Sequence, residues 1–360
     1  MALALYPWQQ PLAESLNRMR SEMPNGLLIY GPRGIGTFDL AERFAKSLLC
    51  QSPAADGTPC GHCRGCRLTA AKTHPDLVYV LSEAEALPRE LPFTEPDGAT
   101  SDRKNLYREI LIRQTRNLPE IFSLKTNEGG LRVVLLYPAD QLRAEAAAAV
   151  LKSLEEPPEN TVFILVADSI DFVLPTIRSR CRLLKAEPPT HAAALAWLRT
   201  QKVADPETAL TAAGGMPLTV FETDEKRVLT LEQRAKLLGF LRLGRKANAA
   251  AAVAAVSRDM TLQAVSVFLS RWAWDLAGAL SGVPPRYFPG EHAVFETLAA
   301  EGLNPAAVFM WVNSVRDVCR VSDHPLTARV VIEQLLLAYL RALRSTPPPC
   351  LKAETCENKP

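Results

Sequence analysis

The stretch Gly31-Pro32-Arg33-Gly34-Ile35-Gly36-Thr37-Phe38 constrains this chain more than any other. It follows the apolar run Gly26-Leu27-Leu28-Ile29-Tyr30 and precedes a helical pattern over Asp39 to Leu49. A glycine-rich turn between a buried strand and a helix is the setting of a phosphate loop, where backbone N–H groups face an anion. Three more apolar runs continue the rhythm: Leu77 to Leu81, Arg132 to Tyr137 and Thr161 to Val166. Helical patterns fit between them, near Leu106 to Asn117 and over Ala144 to Leu154. Continuous apolar strands separated by helices predict a mostly parallel sheet covered on both faces, an α/β domain.

The rhythm breaks in two places. Ser82 to Lys104 holds three prolines and six carboxylates without apolar periodicity, which predicts a long, mobile surface loop. After Leu184 the β-rich runs stop, and Ala186-Glu187-Pro188-Pro189 reads as a linker. The rest has helical period, clearest in Asn248 to Val256, Leu262 to Leu280 and Arg329 to Arg344. From Thr346 to Pro360 a polar, proline-rich tail is expected to be disordered.

With 360 residues the chain is too long for one compact core and suits two or three domains. Its 41 basic and 39 acidic residues leave a net charge of +2, which excludes a strongly basic coat for nucleic acid and an acidic tail protein. An apolar share of 48% with 22% charged residues is ordinary globular composition. No apolar run reaches the roughly 18 residues of a membrane-spanning helix. The first residues lack the basic start, apolar stretch and cleavage site of a secretory signal. A cytoplasmic protein without a membrane partner is expected.

The glycine turn has lost the groups that make such a loop work. The pattern G-x-x-x-x-G-K-[ST] asks for a lysine on the β- and γ-phosphates and a hydroxyl on Mg²⁺. Gly31, Gly34 and Gly36 are present, but Thr37 stands at the lysine position and Phe38 at the hydroxyl position. A working site also needs carboxylates at the end of a later strand. There, Tyr137 and Pro138 replace the two catalytic acids, and only the last, non-catalytic Asp140 survives. Four chemically essential positions are gone, so no catalytic residue in cis and no functional ATP/Mg²⁺ site are expected.

Eight cysteines are too few for a disulfide framework, but four of them cluster. Cys50, Cys60, Cys63 and Cys66 bring two consecutive C-x-x-C steps and a fourth thiolate from the end of the preceding helix. Four sulfurs suit a closed, tetrahedral Zn²⁺ site, one ion per chain, structural and with no open position for water. His62 lies inside the C-x-x-C turn and would point away; His74 is the other conceivable substitute.

Leu174 to Arg182 carries three arginines just past the fourth apolar run. The simple reading is a solvated basic segment pairing with local acids. The other is an arginine donated from Ser179-Arg180-Cys181 into a neighbour's nucleotide site. Glu155 and Glu156 sit at a helix end where the macrodipole disfavours acids, before Pro157 and Pro158 stop the helix. An interdomain or intersubunit partner and a purely local turn both remain open for them.

At this point the sequence resembles a known family. Ala146 to Pro158 is similar to the A-x-N-A-L-L-K-x-L-E-E-P-P segment of bacterial clamp-loader AAA+ subunits, with Ala148 at the usual asparagine. The Phe163-Ile164-Leu165 strand and Ser179-Arg180-Cys181 follow in the family order, so the resemblance covers roughly residues 1 to 220. In this family the motor subunit combines zinc cysteines, an intact phosphate loop and Ser-Arg-Cys, and the clamp-opening delta subunit lacks both the zinc module and Ser-Arg-Cys. Zinc cysteines and Ser-Arg-Cys with a ruined phosphate loop mark the non-catalytic stator type.

The resemblance implies an AAA+ RecA-like domain over 1–187 with a zinc module at 50–66. A small helical lid over 188–228, a helical collar over 229–345 and the tail 346–360 would follow. It implies ATPase (gamma/tau) and delta subunits as partners in a hetero-pentameric ring, with the sliding clamp and primer-template DNA reached mainly through the complex. The role implied is helping to load the clamp during replication, with Arg180 as an arginine finger in trans; polymerase chemistry belongs to another chain of the DNA polymerase III holoenzyme. Two alternatives differ in class. An active AAA+ motor is opposed by Thr37, Phe38, Tyr137 and Pro138, and an ATPase assay separates it. A zinc-containing nucleic-acid-binding protein is opposed by the near-neutral charge, and a salt titration separates it.

Overall fold

The computed structural model describes residues 5–93, 106–126, 130–221, 229–321 and 327–345. Five strands form one parallel sheet: β1 Gly26–Tyr30, β2 Leu77–Leu81, β3 Arg132–Tyr137, β4 Thr161–Ala167 and β5 Arg182–Lys185. Their order across the sheet is β2-β3-β4-β1-β5. Leu28 of β1 is in register with Leu165 of β4 and Leu183 of β5.

Among the described residues, eight α-helices lie between and around these strands. They are α1 Gln10–Arg18, α2 Thr37–Leu48, α3 Arg64–Ala70, α4 Glu83–Ala86, α5 Ile112–Thr115, α6 Leu118–Ser123, α7 Ala144–Glu155 and α8 Pro175–Arg178. Because side chains alternate along a strand, the apolar runs feed two cores. Leu27, Ile29, Val133, Leu135, Ile164 and Val166 meet Phe38 and Phe44 of α2 on one face. Leu28, Val134, Leu136, Phe163 and Leu165 meet Ala147, Val150 and Leu154 of α7 on the other. Burying each such aliphatic side chain stabilises by roughly 1.5–3 kcal/mol, so the central strands anchor everything attached to their ends. The sheet sandwiched between helices is the α/β class that the apolar runs predict.

Three expectations need correction. A fifth strand exists where the β-rich runs were expected to end: Arg182-Leu183-Leu184-Lys185 pairs with β1 at the sheet edge, largely exposed, so backbone pairing rather than apolar burial defines it. The helix expected from Leu106 to Asn117 is instead two short pieces, α5 and α6, separated at Arg116 and Asn117. Ahead of them Ile110 is extended and bridges to Leu142, its amide bonding the Gln141 carbonyl at 2.9 Å. The segment expected to be a mobile loop begins with α4 and a 3-10 turn at Leu87–Arg89, with Glu83 and Glu85 buried. Residues 94–105 lie outside the described residues, as do 222–228 and the expected tail 346–360.

The chain divides into two compact units, one running to Leu210 with Met216–Val220, the other comprising Thr211–Gly215 and the chain from Phe221 on. Helix α9, His191–Thr200, belongs to the first, and α10, Pro206–Ala212, straddles the division. The second unit is helical: α11 Leu231–Arg242, α12 Ala249–Ala255, α13 Leu262–Ala279, α14 His292–Ala300, α15 Pro305–Val321 and α16 Ala328–Arg344. Its core centres on Trp272, whose ring lies 4.5 Å from that of Phe295, with Tyr339 also fully buried. The buried Asp275 carboxylate accepts the amides of Arg286, Tyr287 and Phe288, each at 2.8 Å, and so fixes the turn after α13.

Candidate functional site

The glycine loop leaves β1 at Gly31, whose amide donates to the Ala167 carbonyl at the end of β4. Gly34 and Gly36 have φ of +86° and +80°, a left-handed backbone that side chains strain, and Gly36 caps the start of α2. The loop carbonyls are taken by protein. Trp8 Nε1 and Gln9 Nε2 donate to the Ile35 carbonyl at 2.9 and 3.1 Å. Gln9 Nε2 also reaches the Gly36 carbonyl at 2.6 Å, and the Leu218 amide bonds the Gly34 carbonyl at 3.0 Å. Thr37 is buried, and its hydroxyl has no hydrogen-bond partner among the described residues.

Beside the loop, the first turn of α2 and the end of β3 pack on each other through aromatic rings. Phe38 and Tyr137 are both buried, and the Arg89 guanidinium lies 4.8 Å and 5.8 Å from their ring centroids. Arg89 pairs with Glu85 at 2.5 Å, and the other Glu85 oxygen pairs with Arg33 of the loop at 2.7 Å. The Tyr137 hydroxyl donates to Asp168 at 3.0 Å, and Arg33 stands 3.8 Å from the same carboxylate. Burial, then the neighbouring Asp140 charge, pushes the Asp168 carboxyl up to about 7. The Asp140 carboxyl is also raised by burial, and it accepts the amides of Asp168 and Ser169 at 3.2 and 3.3 Å. It braces the end of β4. Pro138 follows β3 directly, and its carbonyl accepts the Gln141 amide at 3.1 Å. Glu85, Arg89 and Asp168 are members of this cluster that motif reading misses; the opposite charges at Glu85 and Arg89, four residues apart, were the available signal.

The cysteines come together as their spacing predicts. One Sγ from each of Cys50, Cys60, Cys63 and Cys66 lies within 4.8 Å of all the others. The Cys60–Cys66 and Cys50–Cys63 sulfurs are 3.9 Å apart. A tetrahedron with Zn–S of about 2.3 Å has edges of about 3.8 Å, so these two pairs match zinc, and four thiolates are a donor set that suits it. Backbone amides of Cys60, Cys63 and Cys66 point at the sulfurs of Cys50, Cys60 and Cys63 at 3.3, 3.4 and 3.3 Å. Such bonds favour thiolate. Burial opposes ionisation at Cys63, but the amides of Cys66 and Gln51 outweigh it and bring the thiol down to about 6. Burial pushes Cys66 up to about 12, so a bound cation has to displace its proton. His62 Nδ1 sits 2.9 Å from the Cys60 carbonyl and His74 Nδ1 accepts the Asp76 amide at 3.1 Å, and neither joins the cluster.

Arg180 follows α8, with its side chain about one-third exposed. Its Nη1 donates to the Thr176 carbonyl at 2.9 Å and to Ser179 Oγ at 3.2 Å, and its Nη2 meets Glu155 at 2.6 Å. Glu155 at the end of α7 thus has a partner within the chain. Cys181 is partly buried beside Gly26, and burial pushes its thiol up to about 11, which makes it an inert packing group.

The family described as "DNA polymerase III, delta subunit" matches residues 8–190, just over half of the chain. The chain belongs to this family. Among similar proteins, the DNA polymerase III subunit delta' of Pseudomonas aeruginosa is 40% identical over 238 residues, covering 65% of each chain. The subunit delta' of Haemophilus influenzae is 31% identical over 65% of each chain, and that of Escherichia coli 35% over 61% of each. The chain thus spans about 65% of the length of the curated relatives it matches first. A DNA polymerase III gamma subunit-related protein from Thermotoga maritima overlays with a TM-score of 0.41 at 15% identity, covering 92% of this chain and 99% of that one.

The family match ends just past β5, so it contains the glycine loop, the cysteine cluster and Arg180. The second unit lies outside the match. Among the described residues, no helix is long and apolar enough to cross a membrane.

Proposed function

We propose that this chain is a non-hydrolysing, delta-prime-type stator subunit of a DNA polymerase III clamp loader, helping an AAA+ assembly place the sliding clamp on primed DNA. The observation that carries the reading is the filled glycine-loop site: Phe38, Tyr137 and Arg89 pack where metal and phosphate chemistry would need a hydroxyl, a carboxylate and open space. Delta-prime relatives at 31–40% identity supply the subunit type.

The remaining roles follow from that assignment. Cys50, Cys60, Cys63 and Cys66 hold one structural Zn²⁺, which ties the turn before α3 to the end of α2. Arg180 acts in trans, its guanidinium stabilising charge on a neighbouring subunit's γ-phosphate. Its position after α8, partly exposed and tied to Glu155, is compatible with a side chain that changes partner on assembly. Motor (gamma/tau) and delta subunits complete a hetero-pentameric ring in the bacterial cytosol, joined through collars over 229–345, with 188–228 as a lid. DNA and the clamp are met within the complex, whose polymerase activity lies in another chain.

The test is reconstitution. The chain should co-purify with motor and delta subunits, show no ATP turnover alone, and be required for clamp loading by the mixture. Turnover by the isolated chain that persists through further purification, or loading that proceeds without it, would refute the assignment.

A further inference from the structure

Glu85 is a closely confined charge beside the glycine loop. Its side chain is only 6% exposed, and each oxygen faces a different guanidinium: Oε1 lies 2.7 Å from Arg33 Nη1 and Oε2 lies 2.5 Å from Arg89 Nη1. Arg33 is a residue of the loop itself. Arg89 rests on Phe38 and Tyr137, where a metal would otherwise be held. One carboxylate therefore bridges the loop's own cation to a second cation at the metal position. Carboxylate and phosphate oxygens make the same charge-assisted bonds to guanidinium groups. An anion beside a glycine loop is also what such a loop is shaped to hold.

The acid is delivered by a fixed element. Helix α4 starts directly after β2, its Ala84 amide bonds the Tyr107 carbonyl at 2.9 Å, and Glu83 accepts the Tyr107 amide at 2.9 Å. The Ser82 amide bonds the Tyr137 carbonyl, so the helix is tied to the end of β3 as well. Glu85 has little freedom to leave.

We propose that Glu85 is a built-in anion that stands in for phosphate at the glycine loop, drawing Arg33 and Arg89 together and holding the site closed. The proposal rests on reading Gly31 to Phe38 as a relic phosphate loop, and it adds a reason for nucleotide exclusion beyond the lost catalytic groups. Arg33 is already paired, and an incoming phosphate chain meets a carboxylate. Removing that carboxylate should take away the one anion that the two guanidinium groups share and make room for another.

The experiment is thermal unfolding of the full chain with inorganic tripolyphosphate as the probe and sodium chloride at matched ionic strength as the control. The wild-type midpoint should not respond to millimolar tripolyphosphate. Glu85→Ala should lower the midpoint by about 5 °C, since it removes the buried carboxylate that both half-buried guanidinium groups face. Tripolyphosphate should then restore at least half of that loss in a saturable way, by binding the folded state. Adding Arg33→Ala should abolish the rescue. Glu85→Gln, uncharged but similar in shape, should show the same rescue and serves if the alanine variant does not fold. Equal stabilisation of wild type and variant, no rescue of either variant, or rescue that survives Arg33→Ala would each overturn the proposal. None of these outcomes bears on the stator assignment, which stands or falls on assembly with the motor subunits.

Discussion

The ring centroids of Phe38 and Tyr137 lie 5.2 Å apart, with the planes tilted by 34°. This contact ties the first turn of α2 to the last residue of β3. Phe38→Ala should therefore destabilise the first unit by about 3–5 kcal/mol, because a buried ring leaves a cavity between the helix and the sheet. Urea unfolding followed by far-UV circular dichroism measures it. A loss below about 1 kcal/mol would mean the rings pack there without consequence.

Thr37→Lys should give no ATP turnover above background. On the proposed reading, the hydroxyl at Phe38 and the acids at Tyr137 and Pro138 are still missing, and each supports a separate part of phosphoryl transfer. Phosphate release by the purified variant, dependent on magnesium, is the outcome that contradicts this.

Freshly prepared protein should contain about one zinc per chain, and Cys63→Ser should lower the metal content and destabilise the first unit. Acidification should release the ion, since the thiolates must take up protons as metal leaves. Metal analysis across a pH series, with a chelator as sink, reads both effects. Zinc-free protein prepared without chelator would count against the site.

Asp168 gives a pH dependence of definite sign. Its folded carboxyl titrates near 7, raised by burial and then by Asp140, with Arg33 and the Tyr137 hydroxyl opposing. An unfolded aspartate titrates at about 3.9. The native state thus binds more protons between these values, so this contribution to stability is complete below about pH 4 and lost as pH rises through about 7. Asp168→Asn keeps an acceptor for Tyr137 and should flatten the decline in unfolding midpoint across that window. An unchanged slope would show that another group dominates.

Arg180→Ala should leave folding and zinc content intact and reduce clamp-dependent ATP hydrolysis by the reconstituted complex, with a larger loss of clamp loading. A trans-acting arginine is worth roughly 10³–10⁵ in rate at its own site, but only the site abutting this chain would lose it. Glu155→Ala, at the other end of a partly exposed pair, should cost less than about 1 kcal/mol in stability. Wild-type loading rates with Arg180→Ala would restore the reading of a solvated basic segment.

The central strands were legible because β1, β3 and β4 are buried on both faces and so read as unbroken apolar runs. The edge strand β5 was not, because Arg182 and Lys185 need no burial to pair through the backbone. The cysteine cluster was legible because ligand spacing is a property of local chain geometry. Glu85 and Arg89 were hidden for the opposite reason. An acidic, proline-containing segment has the composition of a loop, and only tertiary pairing with Arg33 turns one of its carboxylates into a core group.

Gly34 and Gly36 carry a separate consequence. A Cβ at Gly34 would run into the Thr219 hydroxyl, and one at Gly36 would come within 2.5 Å of the Tyr6 ring. The two glycines make room for the polypeptide's own Tyr6 and Gln9 and for Thr219, far downstream in the chain. Both glycines are thus under steric selection that does not depend on any nucleotide. Packing alone is therefore enough to preserve the glycine spacing in such a chain, and that spacing by itself carries no information about what the loop binds.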